Sequence, residues 1–305
     1  MFRKIFILLV SLPLFVLAES SRVEETNTRI INSMVALVSD DFLSAGQYKV
    51  NDGDAELTIY HIPLKHHFKP FYNKFNFFIN GSFGYATIEE DQHIAPSLAP
   101  DTYEARIKMY KGGVGLRYEA YKNLYLDAGY SLIYTKYNPN YSYNTPASIA
   151  IIKPLFDSVV NKKQTNWTSE LSLSLRYEQE IAGFLPYMLA EYKWYHTRSD
   201  LELDNEHKAT SQDSILRTRL GSFTPSLFEL NQKELKLNAF LGRNYFYGDL
   251  VSVMRTDYYD SYGGGVYISF KDKEAWLKKL GLIAEWTDGE NFDGFNIGLD
   301  INFNF

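Results

Sequence analysis

The carboxyl-terminal stretch FNIGLDINFNF alternates without a slip. Phe295, Ile297, Leu299, Ile301, Phe303 and Phe305 fall on one face, and Asn296, Gly298, Asp300, Asn302 and Asn304 on the other. Successive side chains of a strand point to opposite faces, so a period of two makes one face oily and one wet. The rhythm recurs upstream. WTSELSLSLRYEQE sets Trp167, Leu171, Leu173, Leu175 and Tyr177 against Thr168, Glu170, Ser172, Ser174, Arg176 and Glu178. KFNFFINGSFGYAT sets Phe75, Phe77, Ile79, Phe83 and Tyr85 against Asn76, Asn80 and Ser82, with Phe78 breaking the rule. VGLRYEA and LYLDAGYSLIY follow the same pattern, and PYMLAEYKW, LRTRLGS, LKLNAFLG, YGGGVYISF and LGLIAEW are weaker examples.

Eleven such segments lie beyond residue 55, at about 55–64, 74–88, 103–118, 124–135, 166–180, 184–195, 214–223, 234–245, 261–270, 280–287 and 295–305. Two spacers, EAYKN (119–123) and IAGF (181–184), are short, whereas 89–102, 136–165 and 196–213 are long and polar. Short turns at one end and long loops at the other are the plan of a transmembrane barrel. A secreted β-sandwich also alternates, but seldom with that asymmetry. Aromatic residues gather near strand ends, Tyr130 and Tyr134 in one segment and Tyr192, Trp194 and Tyr195 in another. Amphipathic rings there would form girdles at the membrane–water boundary.

The expected fold class is therefore all-β: a closed antiparallel transmembrane β-barrel of about 12 strands, with a short amino-terminal helix possible. Closure requires the last strand to pair with the first, since an open edge in lipid leaves backbone groups unsatisfied. Single-chain barrels of bacteria have an even number of strands, so one remains to be found beyond the eleven. TRIINSMVALVSDDFLSAG, near residues 28–46, is the candidate. Its apolar spacing fits a helix about as well as a strand. As a strand it completes twelve. As a helix it runs through or caps the lumen, and another strand lies within 246–258. The favoured arrangement has twelve strands and leaves room for a short helix near 22–33.

Residues 1–18 have the layout of a secretory signal peptide, with Arg3 and Lys4 before an apolar run and Val16 and Ala18 at the small-residue positions. That run is shorter than the roughly 20 residues of a spanning helix. The expected domains are thus the signal peptide, 1–18, and the outer-membrane barrel, 19–305. The chain has no cysteine, which excludes a disulfide framework and attachment of lipid through an amino-terminal Cys. A formal net charge of −6 without a basic run argues against nucleic acid as a partner.

The layout of signal, short possible helix and barrel resembles the translocator barrel of autotransporters. With about ten residues between the signal and the first structured segment, it looks like the solitary autotransporter-like barrels of Gram-negative bacteria, without a passenger. The alternating last strand ending on Phe305 resembles the insertion signal read by the barrel assembly machinery. The resemblance implies an outer-membrane location, with outer-membrane lipid, lipopolysaccharide and that machinery as partners, and a monomer. It rests on layout, so it brings no family site residue with it.

Enzymatic barrels that act on lipids resemble one another in a His two residues before a Ser on one strand face. None of His61, His66, His67, His93, His196 and His207 has that Ser, and Ser199 lies on the opposite strand face from His196. Adjacent His66 and His67 point opposite ways in a strand and so do not share a metal; a turn suits them better. Gly263, Gly264 and Gly265 lack the helix and Lys-Ser/Thr of a phosphate loop and mark either curvature or close packing in the lumen instead. No catalytic, cofactor-binding or metal-ligating residue is expected, and no cofactor. The expected lumen carries Arg117, Glu119, Asp127, Glu170, Arg176, Glu178, Glu191, Lys193, Arg217, Arg219, Lys236 and Asp300. Those charges suit either an ion-conducting pore or a ladder of ion pairs that stiffens a narrow barrel. The leading expectation is a non-enzymatic barrel, structural or a narrow pore. Surface adhesion or recognition through the loops at 136–165 and 196–213 is the alternative.

Overall fold

The structure is a computed structural model, and it describes residues 35, 43–50, 55–72, 74–92, 99–154, 157, 161–199, 210–230, 232–270 and 277–303. The expected signal peptide, the possible helix at 22–33 and Phe305 lie outside the described residues.

Among the described residues thirteen strands follow in chain order. They are β1 (Leu43–Val50), β2 (Ala55–His67), β3 (Phe75–Gln92), β4 (Asp101–Tyr121), β5 (Leu124–Ser142), β6 (Gln164–Glu178), β7 (Leu185–Ser199), β8 (Thr210–Phe223), β9 (Phe228–Leu230), β10 (Lys233–Gly248), β11 (Tyr258–Phe270), β12 (Leu277–Asp288) and β13 (Phe292–Phe303). Each pairs antiparallel with its neighbour in the ring. The ring closes where β1 meets β13, with Ala45 opposite Ile297 and Val50 opposite Phe292. Three-residue β9 pairs only with the start of β10. β10 goes on to pair with β8 and β11, so the closed ring has twelve strands.

The twelfth strand is β1, at the carboxyl-terminal edge of the candidate segment and beyond it. Val35, from the middle of that segment, has helical backbone and is buried. The segment is therefore not one strand over 28–46. The stretch 246–258 holds the end of β10, the short helix α1 (Asp249–Met254) and the first residue of β11, with no separate strand.

The end of the barrel where β1 begins and β13 finishes is termed the near end. Its connection between β4 and β5 is a two-residue turn with Asn123 in the left-handed region (φ 66°). That between β6 and β7 carries Ala182 and Gly183 at φ 52° and 83°. The far end has the longest connections, at 143–163 and 200–209. The asymmetry is not clean: the far-end connections at 51–54 and 289–291 are also short.

β3, β4 and β5 have 18, 21 and 19 residues. A tilted strand crosses a bilayer in about 9–11. These strands therefore run well past any membrane at the far end, and the polar stretches expected to be loops at 89–102 and 136–165 are partly strand. β4 shows the consequence. In its near half Val114 and Leu116 face outward, while Lys111, Gly113, Gly115 and Arg117 face the lumen. In its far half the chemistry changes sides without a slip in register: Tyr103, Ala105, Ile107 and Met109 are buried inside, and Thr102, Glu104, Arg106 and Lys108 lie outside. The near half is dressed for lipid outside. The far half of this strand is dressed for water outside and is apolar inside, whereas β6 turns Gln164, Asn166 and Thr168 inward at the same end.

The apolar part of that interior is one cluster built from most of the ring, including Leu57, Ile88, Ile107, Ile133, Tyr195, Ile215, Phe246 and Phe292, together with Val35. Leu250 and Met254 of α1 close over it from the far end. Tyr195, grouped above with a membrane girdle, thus belongs to the lumen and is fully buried. Its strand alternation, not its neighbours Tyr192 and Trp194, decides its side.

Candidate functional site

Below the apolar cluster the lumen is lined by charges, and they are paired. Arg117 and Asp127 face each other across β4 and β5 and form a bidentate bridge, Nε to Oδ1 at 2.7 Å and Nη2 to Oδ2 at 2.8 Å. Lys65 reaches the same carboxylate from β2, at 3.5 Å. Lys111 donates to both oxygens of Glu170, at 2.6 and 2.7 Å. Arg219 donates to both oxygens of Glu285, each at 3.1 Å, passing over the Phe240 ring at 4.2 Å. Lys193 and Glu191 approach to 3.0 Å, and Lys279 and Asp300 to 2.7 Å. Lys236–Glu234 at 3.2 Å and Arg176–Glu178 at 3.1 Å lie nearer the rim. Charge-assisted and forked bonds of this kind compensate the cost of taking ions out of bulk water.

All twelve expected lumen residues lie on the inward face by register, and ten of them are in these pairs. Sequence reasoning missed Lys65, Lys111, Glu234, Lys279 and Glu285. Lys111 was recoverable, since it continues the inward face of Gly115 and Arg117.

Aromatic rings occupy the remaining space by lying over glycines. Phe78, the residue that broke the alternation, turns inward. A Cβ on Gly115 would collide with its ring, and one on Gly129 would press against it. Phe240 lies over Gly263, and Tyr267 over Gly265 and Gly281. The glycine triplet is thus lumenal packing at its first and third positions, one of the two expected roles.

The far rim is organised by buried Asp101. Its Oδ1 accepts from the Asn144 backbone N–H at 2.8 Å and the Ser148 hydroxyl at 3.0 Å, and its Oδ2 from the Tyr141 hydroxyl at 3.3 Å. These bonds pin the start of the 143–163 connection, where a π-helical turn, Ser148–Ile152, exposes Ile149 and Ile151.

His66 and His67 end β2 and are not in a turn, a correction that follows from β2 running three residues past its expected limit. His66 packs edge-on against Phe68 at 4.8 Å and His67 against Phe78 at 5.3 Å, on opposite faces. His196 faces outward, whereas Ser199 is buried inside. Among the described residues no three His, Asp or Glu side chains come close enough to hold a metal ion.

A closed antiparallel ring, apolar outside and ion-paired inside, defines an outer-membrane type of β-barrel. The family model described as the solitary outer membrane autotransporter beta-barrel domain matches residues 35–304, and the chain belongs to that family. Among solved structures the chain is similar to the transport unit of the autotransporter AIDA-I from Escherichia coli, with TM-score 0.57 and 10% identity over 92% of this chain and 99% of that one. It is also similar to the beta domain of the Bordetella autotransporter Brka, with TM-score 0.56 and 12% identity over 85% and 96%. A third is the translocator domain of NalP from Neisseria meningitidis, with TM-score 0.53 and 9% identity over 96% and 99%. Identities this low show a shared fold. No curated protein sequence matches the chain.

Proposed function

We propose that this chain is a non-enzymatic, monomeric outer-membrane barrel whose lumen is closed, a structural element of the membrane surface and not a conducting pore. The single observation that carries this reading is the apolar cluster across the far half of the lumen, with Val35 inside it and α1 over it. An ion crossing that layer would exchange most of its hydration for an apolar lining broken by a few buried polar groups, such as Asn166, Thr168 and Thr197. The paired ladder beneath it supports the same reading, because charges already neutralised by one another offer a passing ion little. Export by the signal at 1–18 and insertion through Phe305 by the assembly machinery complete the proposal. The test is conductance in planar bilayers. No current steps are expected at any voltage, and steady ohmic steps would instead establish the narrow pore.

One observation favours a second reading, surface recognition. The turn at 148–152 is held in place by Asp101 yet presents two isoleucines, Ile149 and Ile151, to solvent. A turn that merely closed a connection would gain nothing from them. Replacing both with Asn and measuring attachment of expressing cells to surfaces or to one another decides it: unchanged attachment removes the reading.

A further inference from the structure

The outer surface of β3 to β6 carries two consecutive rows of different chemistry. Phe83, Tyr110, Tyr134 and Trp167 are successive register partners and form an aromatic row. Phe83 and Tyr110 lie 5.4 Å apart, and Tyr134 and Trp167 4.9 Å. Two residues further toward the far end, the same strands place Tyr85, Lys108, Lys136 and Thr165 in register. Lys108 and Lys136 are therefore directly opposite each other, an arrangement that is destabilising between like charges. Arg106 stands one step beyond, and Lys162 and Lys163 arrive from the connection entering β6. The five cations line one concavity of about 1040 Å³. Glu104 occupies the Arg106 Nε at 2.6 Å. Among the described residues the four lysines have no carboxylate partner.

Aromatic girdles mark the membrane–water boundary, so a cationic row just beyond one sits at the level of lipid headgroups. We infer that this concavity binds the phosphorylated headgroup of a glycolipid of the outer leaflet, with its phosphates between Lys108, Lys136 and the two loop lysines. A phosphate turns the opposed lysines from a repulsive pair into a shared cationic fork. Asn138, Tyr85 and Thr165 supply hydroxyl and amide groups for sugar, and the volume far exceeds that of one phosphate. Val114, Leu132 and Leu171, exposed below the aromatic row, give acyl chains an apolar wall.

This inference rests on the membrane-barrel reading, so the experiment separates the two. Detergent-folded protein is first checked for insertion into vesicles; failure there overturns the membrane reading and this one with it. Inserted protein is then examined by native mass spectrometry with a bisphosphorylated diglucosamine lipid, its dephosphorylated form, phosphatidylglycerol, and the acyl-free sugar bisphosphate. The bisphosphorylated lipid should be retained in preference to all three others. K108Q/K136Q should weaken it at least about tenfold, on the scale of two lysines at an anionic surface. K162Q/K163Q, outside the strands and safe for folding, should weaken it too. Equal retention of the dephosphorylated lipid or phosphatidylglycerol, equal binding of the acyl-free sugar, or wild-type binding by both double variants would each overturn the site.

Discussion

At the scale of single residues, the barrel is decided by which side of the wall a side chain stands on. Leu173 and Ser174 are neighbours, yet Leu173 is 49% exposed on the outer surface, and Ser174 stands in the lumen between Asp127 and Glu191 in register. Leu173→Arg places a charge against lipid at a cost of about 2–4 kcal/mol at mid-depth. Ser174→Arg meets two carboxylates. Heat-dependent gel migration should show the first variant unfolded and the second folded, and equal behaviour would mean the faces are reversed. Glycines divide the same way. Gly112 faces open space, whereas a Cβ on Gly115 meets both the Phe78 ring and the Ala128 carbonyl, at 2.6 Å for the latter. Gly115→Ala should lower stability by about 1–3 kcal/mol in a urea titration, and Gly112→Ala should stay within about 0.5 kcal/mol. The sides of Leu173 and Ser174 were legible in the sequence because period two is a local property. The role of Phe78 was not, since a ring becomes a lumen filler only when glycines on two other strands are brought beneath it.

At the scale of elements, the strands were legible in number and direction but not in length. β4 was expected to begin at residue 103 and begins at Asp101, and β5 was expected to end at 135 and reaches Ser142. On β5 the reason is the exchange of faces near Tyr134 and Lys136, the counterpart of the exchange near Met109 and Tyr110 on β4. A search for oily outer faces stops where lipid stops, although the hydrogen-bonded ladder continues with its apolar side turned inward. First-strand placement failed for a related reason: only seven partners on β2 and eight on β13 define β1, and they leave no local signal in the segment itself. Between elements, the Lys111–Glu170 pair joins β4 to β6 across β5, with Glu170 only 1% exposed. Glu170→Gln leaves Lys111 charged and uncompensated and should cost about 3–5 kcal/mol. The double variant K111M/E170L should recover most of that loss. A double variant as unstable as the single one, by urea midpoint, would mean the pair itself holds the strands together.

At the scale of the whole molecule, closure of the ring distinguishes this barrel from a sheet, and every other feature depends on it. Lipid offers no partner to an unpaired backbone N–H or C=O, so an opened seam is penalised along its whole length in the membrane. The seam between β1 and β13 is the natural place to open, because its two strands are the most distant in sequence and β1, at eight residues, is the shortest in the ring. β9 is the control: it is a strand outside the ring, and Phe228 at its start is exposed. Proline removes a backbone donor and is tolerated only where the ladder does not need it. Ile297→Pro, opposite Ala45, should therefore abolish the compact, heat-sensitive gel form and leave the protein degraded in cells. Phe228→Pro should migrate as the wild type before and after boiling. If Ile297→Pro kept the compact form at room temperature, the barrel would not depend on the β1–β13 seam for its closure.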